Sequence, residues 1–369
     1  MTPASTRILV ALPGLHAEQR GAETAMEAVA QGLARLPGVD VTVVGSGPTK
    51  PDRPYRYLQA PCVHRSRFEH WPTGPFVRND TSWEELTFCW SMLRVVDAAD
   101  FDVRITCSYP FVNLLTRLQG RLGRGLDIFV TQNGDWPCHR RNSEFRLFRT
   151  DGLVCTNPDY FDAHRSTYPC ALIPNGVDPD RFHPGQADRR EFGLPVGVPL
   201  VLMVSAVIPS KRVLQGIRAV SAAPNLHLAI AGDGPLRDEA DALGRQLLGD
   251  RYRRFTLPRD SMPALYRCAD VMLHMSKDEP SANAYIEALA TGLPIVTEDR
   301  RVTRWTLEDT AYLVSTDRPD AVQDALLRAV GEQRADQRHR RRELVDRRFR
   351  WQRIAHDYLA FINSLRCPS

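Results

Sequence analysis

Residues 7–12 read Arg-Ile-Leu-Val-Ala-Leu and end at the turn formers Pro13-Gly14. A short apolar run that stops at a turn is typical of a buried strand, and apolar residues then recur at helical spacing from Ala22 to Leu36. A second apolar run follows at Val41 to Val44. Strand, helix and strand in this order indicate a parallel sheet covered by helices. The opening of the chain therefore predicts an α/β fold.

The same alternation continues in two series, separated by a stretch rich in turn formers. Strands of the first series are predicted at Val103 to Cys107, Ile128 to Gln132, Leu153 to Thr156 and Ala171 to Ile173. Strands of the second series are predicted at Leu200 to Val204, Leu226 to Ala231, Arg254 to Leu257, Val271 to Met275, Leu293 to Val296 and Ala311 to Val314. A chain of 369 residues fits two domains of about 150 to 200 residues.

We therefore expect two Rossmann-like domains. Residues 1–178 form the first, residues 179–198 a linker and residues 199–350 the second. Residues 351–369 contain a further amphipathic helix, which begins at Trp351. The stretch from Gly45 to Thr81 has no clear periodicity, and we interpret it as an irregular excursion that lines an acceptor cleft or serves only as a surface loop.

The composition excludes several classes of protein. Hydrophobic residues make up 43% of the chain, and no apolar run approaches the roughly 20 residues needed to cross a bilayer. We therefore expect a cytoplasmic protein with at most peripheral membrane contact. The net charge of +4 is mild, and the basic stretch from Arg334 to Arg350 is more typical of a solvated helix face than of a nucleic-acid site. Eight scattered cysteines, without a C-x-x-C pair, indicate reduced thiols and predict no bound metal.

Two glutamates in the second series are candidate ligands of a substrate. Glu279 follows the strand at Val271 to Met275, and Glu287 lies on the predicted helix that begins at Ala282. Ligands of open parallel sheets bind at the carboxyl ends of the strands, and free N–H groups at a helix start suit phosphate. Two carboxylates there suit the hydroxyl groups of a ribose and a hexose. Alternatively, Glu279 stabilises the helix dipole and Glu287 pairs with an arginine.

Lys211 and Arg212 lie at another crossing from strand to helix, after the strand at Leu200 to Val204. Lysine is rare in this chain, which has only Lys50, Lys211 and Lys277. A lysine at this edge can neutralise the pyrophosphate of a leaving nucleotide, and stabilisation of such developing charge is a large catalytic effect. A surface lysine without this role is the alternative.

Four stretches, in this order, resemble a known family. They are Arg20-Gly-Ala-Glu23, Ile173-Pro-Asn-Gly-Val-Asp178, Ala231-Gly-Asp-Gly-Pro-Leu236 and Glu279-Pro-Ser-Ala-Asn-Ala-Tyr-Ile-Glu287 with its tail to Pro294. The chain resembles, over nearly its whole length, the retaining GT-B glycosyltransferases of family 4 that carry the E-x7-E donor motif. The resemblance implies two Rossmann-like domains whose parallel sheets face each other across a cleft, with a terminal helix that crosses back to the first domain.

The resemblance also implies roles for individual residues. Glu279 contacts the donor sugar, Glu287 the ribose, and Lys211 and Gly21 the pyrophosphate, without a metal or other cofactor. Candidate donor-binding residues are further Arg212, Leu257, Pro258, Ser281, Ala282, Asn283 and Ala284. On the acceptor side the candidates are Arg20, Asn133, His139 and Arg140, with Asp135 as a candidate catalytic residue.

The chain departs from the family pattern at several positions. Ser205-Ala206 stands where relatives often have Gly-Arg, so that one phosphate cation is absent unless Arg212 replaces it. Asn133 stands where many relatives have a histidine, and an amide cannot act as a base. Either Asp135 or the donor phosphate then takes the acceptor proton, or no residue does so specifically. Ser281 to Ala284 replaces an aromatic-glycine pair and is expected to alter how the hexose is recognised.

We therefore predict a retaining, metal-independent glycosyltransferase that uses a nucleotide-sugar donor and a small polar or glycosidic acceptor, in natural-product or glycoconjugate biosynthesis. A nucleotide-sugar epimerase with the GT-B fold and a catalytically impaired homologue are the alternatives. A Rossmann oxidoreductase is excluded, because Leu12 to His16 contains no G-x-G-x-x-G fingerprint. The sequence does not indicate the donor base, the hexose, the acceptor or the oligomeric state.

Overall fold

The computed structural model describes residues 5–18, 20–75, 77–120, 125–139, 146–279, 283–332 and 335–366. The chain divides into two compact units, of which unit 1 is Met1–Asn175 with Trp351–Ser369 and unit 2 is Gly176–Arg350. Each unit is built on one parallel sheet with helices, so the predicted α/β class with two Rossmann-like domains is confirmed. Within the described residues no helix is long and apolar enough to cross a membrane.

Unit 1 contains a sheet of seven strands. In chain order they are β1 (Thr6–Ala11), β2 (Val39–Gly45), β3 (Arg56–Gln59), β4 (Val103–Cys107), β5 (Leu126–Val130), β6 (Gly152–Cys155) and β7 (Cys170–Leu172). The order across the sheet is β3-β2-β1-β4-β5-β6-β7, and the pairs are parallel. The helices that follow these strands are α1 (Gly21–Ala34), α2 (Asp80–Met92), α3 (Pro110–Gly120) and α4 (Pro158–His164).

Unit 2 contains a sheet of six strands. They are β8 (Leu200–Val204), β9 (His227–Ala231), β10 (Tyr252–Phe255), β11 (Val271–His274), β12 (Ile295–Glu298) and β13 (Tyr312–Val314), in the order β10-β9-β8-β11-β12-β13. Its helices are α5 (Val213–Ser221), α6 (Arg237–Leu248), α7 (Met262–Cys268), α8 (Asn283–Thr291), α9 (Arg301–Leu307), α10 (Pro319–Val330) and α11 (Ala335–Arg348). Because β8 lies between β9 and β11, the loops after β8 and β11 begin side by side.

The last helix, α12 (Trp351–Arg366), belongs to unit 1 and packs against α1. Its residues Ile354, Tyr358 and Ile362 recur every four positions, are almost completely buried, and join the same core as Met26 and Leu33 of α1. This spacing places all three on one helix face. The predicted return of the C-terminal helix to the first unit is therefore present in the structure.

The segment that we predicted as a linker, residues 179–198, instead packs against unit 2. Phe182 and Leu194 are buried in a core of that unit, and Arg189 Nη2 lies 2.7 Å from Asp270 Oδ2. The many turn formers in this segment are typical of a linker. Two buried apolar side chains nevertheless fix the irregular segment to the core of unit 2. The change of unit lies at Asn175 and Gly176.

Two other sequence interpretations change in detail. The stretch from Gly45 to Thr81, predicted to be irregular, contains the edge strand β3, whose four residues are not apolar enough to stand out in the sequence. In α11, Arg341 is only 1% exposed and pairs with Glu332 at 2.7 Å, so this basic helix is not solvated all round. A buried arginine among exposed ones has no distinguishing sequence pattern.

Candidate functional site

Lys211 and Glu279 form an ion pair at the carboxyl edge of the unit 2 sheet. Lys211 ends a short 3-10 turn after β8, and Glu279 lies in the loop after β11. The two strands are neighbours, which explains how residues 68 positions apart in sequence meet. The side chains are only 21% and 11% exposed, so the pair is largely shielded from water.

His274, the last residue of β11, lies beneath this pair and was not predicted. Its Nε2 is 3.7 Å from Glu279 Oε2, and its Nδ1 is 3.1 Å from the Tyr285 hydroxyl, which in turn lies 2.8 Å from Thr297 Oγ1. Burial, together with the charge of Lys211, lowers the pKa of His274 to about 3. The imidazole is therefore neutral at neutral pH and does not compete with Lys211 for the carboxylate.

Glu287, on α8, has partners of its own. The Tyr266 hydroxyl donates a hydrogen bond of 2.9 Å to Glu287 Oε2, and Arg259 Nη2 lies 3.5 Å from Oε1. Burial raises the pKa of Glu287, while the charge of Arg259 acts in the opposite direction. Leu257 and Pro258, two of the predicted donor-binding residues, directly precede Arg259 in the chain. Glu287 thus pairs with an arginine, which is the alternative role that the sequence left open for it. The Glu287 side chain remains 14% exposed.

Arg212 has hydrogen-bond partners other than the two residues of the Lys211–Glu279 pair. Its guanidinium group donates hydrogen bonds to Thr316 Oγ1 at 2.7 Å and to Asp317 Oδ1 at 2.8 Å. Its backbone has a φ of 53°, in the left-handed region. Because these two partners engage its guanidinium group, we do not expect Arg212 to replace the arginine that relatives carry at Ala206.

Of the remaining donor-side candidates, the structure describes two, and both lie at the start of α8. Asn283 and Ala284 are its first two residues, and the carbonyl of Ala284 lies 3.5 Å from the Tyr266 hydroxyl. Ser281 and Ala282 lie outside the described residues. The first N–H groups of a helix have no partner within it, which suits an anion.

In unit 1, Arg20 and Gly21 lie at the start of α1. Gly21 is the first helical residue, and the Arg20 guanidinium is near three carboxylates: Glu18 at 3.4 Å, Glu23 at 3.5 Å and Glu84 at 3.9 Å. Burial raises the pKa of Glu23, and Arg20 acts against that effect. Arg20 is thus largely engaged by acidic neighbours, while a role of Gly21 towards phosphate stays a prediction.

Asn133 and Asp135 follow β5 at the carboxyl edge of the unit 1 sheet. Asn133 Nδ2 donates a hydrogen bond of 2.6 Å to the Ser108 hydroxyl, which follows β4. Asp135 Oδ2 lies 2.9 Å from His139 Nε2 and 2.7 Å from His164 Nε2. Arg140 lies outside the described residues. The structure therefore joins Asp135 to the predicted His139 and adds His164, which we did not predict.

The environment of Asp135 determines its protonation. Burial alone would raise the pKa of this carboxyl group, but the hydrogen bond from His164 and the charge of His139 outweigh burial and lower it. A carboxylate with a lowered pKa is a weak base. Asp135 is consequently better suited to hold a positively polarised group than to remove a proton from a hydroxyl.

Sequence reasoning missed four residues around these carboxylates: Tyr266, Arg259, His274 and His164. A histidine within the apolar run Val271 to Met275 was a detectable indication for His274, because a buried imidazole needs a polar partner. His164 is 25 or more positions from its partners, and no local pattern connects them.

Two family models match the chain. The model described as Glycosyltransferase Family 4 matches residues 19–181, and the model described as Glycosyl transferases group 1 matches residues 185–345. The boundary between them falls within ten residues or so of the boundary between units 1 and 2. Both candidate sites lie inside the matched ranges.

Curated relatives and solved structures agree with these matches. The 2-deoxystreptamine glucosyltransferase of Streptomyces kanamyceticus is 32% identical over 136 residues, which are 34% of this chain and 35% of that protein. The lipopolysaccharide core biosynthesis glycosyltransferase LpsE of Rhizobium meliloti is 27% identical over 210 residues, which are 56% of this chain and 59% of that protein. The chain thus spans between about a third and three fifths of these two relatives.

The structure of HepE from Anabaena, solved in complex with UDP and glucose, superimposes with a TM-score of 0.75 and 15% identity. The superposition covers 97% of this chain and 100% of HepE, and at this identity it shows a shared fold. The two family models together match most of the chain, and the fold is shared over nearly its full length. The chain therefore belongs to the GT-B glycosyltransferases of the family 4 and group 1 type.

Proposed function

We propose that the chain is a retaining glycosyltransferase that moves a sugar from a nucleoside diphosphate sugar to a hydroxyl group of a small polar or glycosidic acceptor. The observation that carries the proposal is the ion pair of Lys211 with Glu279 at the carboxyl ends of two adjacent strands. Ligands of open parallel sheets bind at this edge. A cation and an anion there match the two chemically different parts of the donor, its pyrophosphate and its sugar.

Lys211 would exchange Glu279 for the donor pyrophosphate. The pyrophosphate carries more negative charge than one carboxylate, and the charge on its leaving oxygen grows as the sugar departs. A preorganised cation in a partly buried site stabilises this growing charge more than it stabilises the bound donor. Because Lys211 supplies the positive charge, we propose that donor cleavage needs no metal at the pyrophosphate.

Glu279, released from Lys211, would accept hydrogen bonds from the donor sugar and stabilise positive charge at the anomeric carbon. The neutral His274 lies 3.7 Å from this carboxylate and leaves its charge available to the donor sugar. Glu287 would accept hydrogen bonds from the ribose hydroxyls, with Tyr266 and Arg259 holding its oxygens in position. Leu257 and Pro258 would contact the base.

The acceptor proton would pass to an oxygen of the leaving phosphate. Asn133 is an amide, and the lowered pKa of Asp135 makes it a poor base. When the leaving phosphate itself takes the proton, acceptor and leaving group lie on the same face of the sugar, and the anomeric configuration is retained. Asn133, Asp135 and His139 would then bind and orient the acceptor in unit 1.

The donor can be identified by thermal denaturation with a panel of UDP-, GDP- and ADP-linked glucose and mannose. We expect one nucleotide sugar to raise the unfolding midpoint, since a ligand at 100 times its Kd adds about 2.7 kcal/mol of stability. Lys211→Ala should remove most of this shift. Arg212→Ala is the matched control, because its guanidinium is bound to Thr316 and Asp317, and it should keep the shift.

Transfer is then measured with that donor and a panel of acceptors that includes 2-deoxystreptamine and simple glycosides. The proposal requires a product whose anomeric configuration, determined by NMR, equals that of the donor. Incubation with donor alone serves as the control for the epimerase alternative. An inverted product, or epimerisation of the donor sugar without an acceptor, would contradict the proposal.

A further inference from the structure

We propose that Asp135, His139 and His164 form a binding site for one divalent transition-metal ion of the Zn²⁺ type in unit 1. The inference deepens the proposed acceptor site, because Asp135 and His139 are also the residues that we propose to bind the acceptor, and it leaves the donor chemistry of unit 2 unchanged. It starts from the meeting of three potential ligand atoms, Asp135 Oδ2 and the Nε2 atoms of His139 and His164, all within 4.8 Å of one another.

The spacing of these atoms is close to that of a metal site. Both Nε2 atoms point at the same carboxylate oxygen, at 2.9 Å for His139 and 2.7 Å for His164. Zinc binds such nitrogen and oxygen ligands at about 2.0–2.2 Å, so that ligand atoms around a tetrahedral ion lie roughly 3.3 Å apart. Insertion of an ion therefore requires each imidazole nitrogen to move about half an ångström away from the carboxylate oxygen.

Two elements of unit 1 hold the three ligating side chains in position before an ion binds. Asp135 and His139 flank the 3-10 turn Trp136–Cys138, which is closed by a 2.9 Å hydrogen bond from the Cys138 N–H to the Asp135 carbonyl. His164 is the last residue of α4 and its side chain is only 4% exposed. A site whose ligands come from a closed turn and a helix end loses little conformational freedom when it binds an ion.

The donor set indicates the class of ion. Two imidazoles with one carboxylate suit Zn²⁺, Co²⁺ or Ni²⁺, whereas Mg²⁺ and Ca²⁺ prefer sites made mainly of oxygen atoms. Three protein ligands leave one tetrahedral position for water or for an oxygen of a bound molecule. The His139 side chain is 42% exposed and provides a route from solvent to the ion.

The competing explanation is a hydrogen-bonded group in which one carboxylate oxygen accepts hydrogen bonds from two imidazoles. Without a metal, both ring nitrogens must donate to the same oxygen. With a metal, the same nitrogens lose their protons and bind the ion. The two explanations therefore differ in whether the protein takes up an ion in a fixed ratio and whether protons are released when it does.

The test uses the full chain without a polyhistidine tag, treated with a chelator and returned to metal-free buffer. Zn²⁺ is titrated in competition with a chromophoric chelator, and Co²⁺ binding is followed by its visible absorption. We expect one Zn²⁺ per chain, a tetrahedral Co²⁺ spectrum, and at least 100-fold weaker Zn²⁺ binding in His139→Ala. Asp135→Asn, which keeps the side-chain shape, should weaken binding as well.

His183→Ala is the matched control, because His183 is an exposed histidine of unit 2 and should leave Zn²⁺ binding unchanged. Absence of stoichiometric binding at micromolar Zn²⁺ would overturn the proposal. So would equal affinity in the native protein and in a folded Asp135→Asn variant. No donor or acceptor is present in this experiment, so its failure would leave the proposed transferase function standing, and the reverse also holds.

Discussion

Replacement of Lys211 by alanine removes the cation that we assign to the donor pyrophosphate. The side chains of Lys211 and Glu279 are only 21% and 11% exposed. Charges at this site therefore interact with an effective dielectric constant of about 20, well below that of bulk water. Two unit charges about 4 Å apart then interact with about 4 kcal/mol, compared with about 1 kcal/mol in bulk water. Part of this energy is common to the bound donor and the transition state, and only the remainder accelerates the reaction.

Loss of one preorganised group that stabilises developing charge typically costs about 100- to 1000-fold in kcat, or about 2.7–4 kcal/mol. We expect a loss in this range for Lys211→Ala. Lys211→Arg keeps the charge but offers a planar fork instead of a compact ammonium group, and should recover part of the rate. The assay measures release of the nucleoside diphosphate by chromatography, under saturating donor and acceptor.

Arg212→Ala is the control for a general loss of positive charge beside the site. Since Thr316 and Asp317 hold its guanidinium group, kcat should stay within about threefold of the native value. Because Lys211→Ala leaves the largely shielded Glu279 carboxylate without its partner, the folding of the variant is checked by circular dichroism before kcat is measured. A kcat within threefold of native for Lys211→Ala, or an equal loss in Arg212→Ala, would refute the assignment of Lys211.

Three further changes test other parts of the structure. Glu287→Gln should raise KM for the donor about 10-fold with little change in kcat, because a ribose contact stabilises bound donor and transition state alike; a fall in kcat alone would contradict this. His274→Gln should flatten the dependence of stability on pH. The pKa of His274 is lowered from 6.5 to about 3, so its contribution is present above pH 6.5 and is lost as the pH falls towards 3. Between pH 7 and pH 5 the native protein should lose about 2 kcal/mol more than the variant in urea denaturation, and equal losses would count against a buried neutral imidazole. Gly232→Ala should destabilise unit 2 by about 2 kcal/mol or more, since an added Cβ would lie 1.9 Å from the Ser205 carbonyl oxygen; an unchanged unfolding midpoint would show that this loop can move.

The sequence predicts the fold well because parallel strands buried on both faces are nearly continuous apolar runs. The strand at Val103–Cys107 is completely buried, and its predicted and observed bounds agree. β3 escapes prediction because it is an edge strand of four partly exposed residues. The assignment of residues 179–198 depends on where Phe182 and Leu194 are buried, which composition does not reveal.

The candidate site was predictable where one residue lies in a local pattern. Lys211 and Glu279 each follow a strand, and they meet because β8 and β11 are paired neighbours in the sheet. Partners that depend on the tertiary fold were not predictable. Thr316, which holds Arg212, is 104 positions away, and His164 is 29 positions from Asp135.

The most direct test of the central claim is calorimetric titration of the preferred nucleotide sugar into native protein and into the Lys211→Ala and Glu279→Gln variants. The proposed donor site predicts one binding site per chain, affinity lowered at least 10-fold in Lys211→Ala, and a transfer rate that falls further than affinity in Glu279→Gln. Native affinity and native transfer rate in both folded variants would contradict the placement of the donor at this pair.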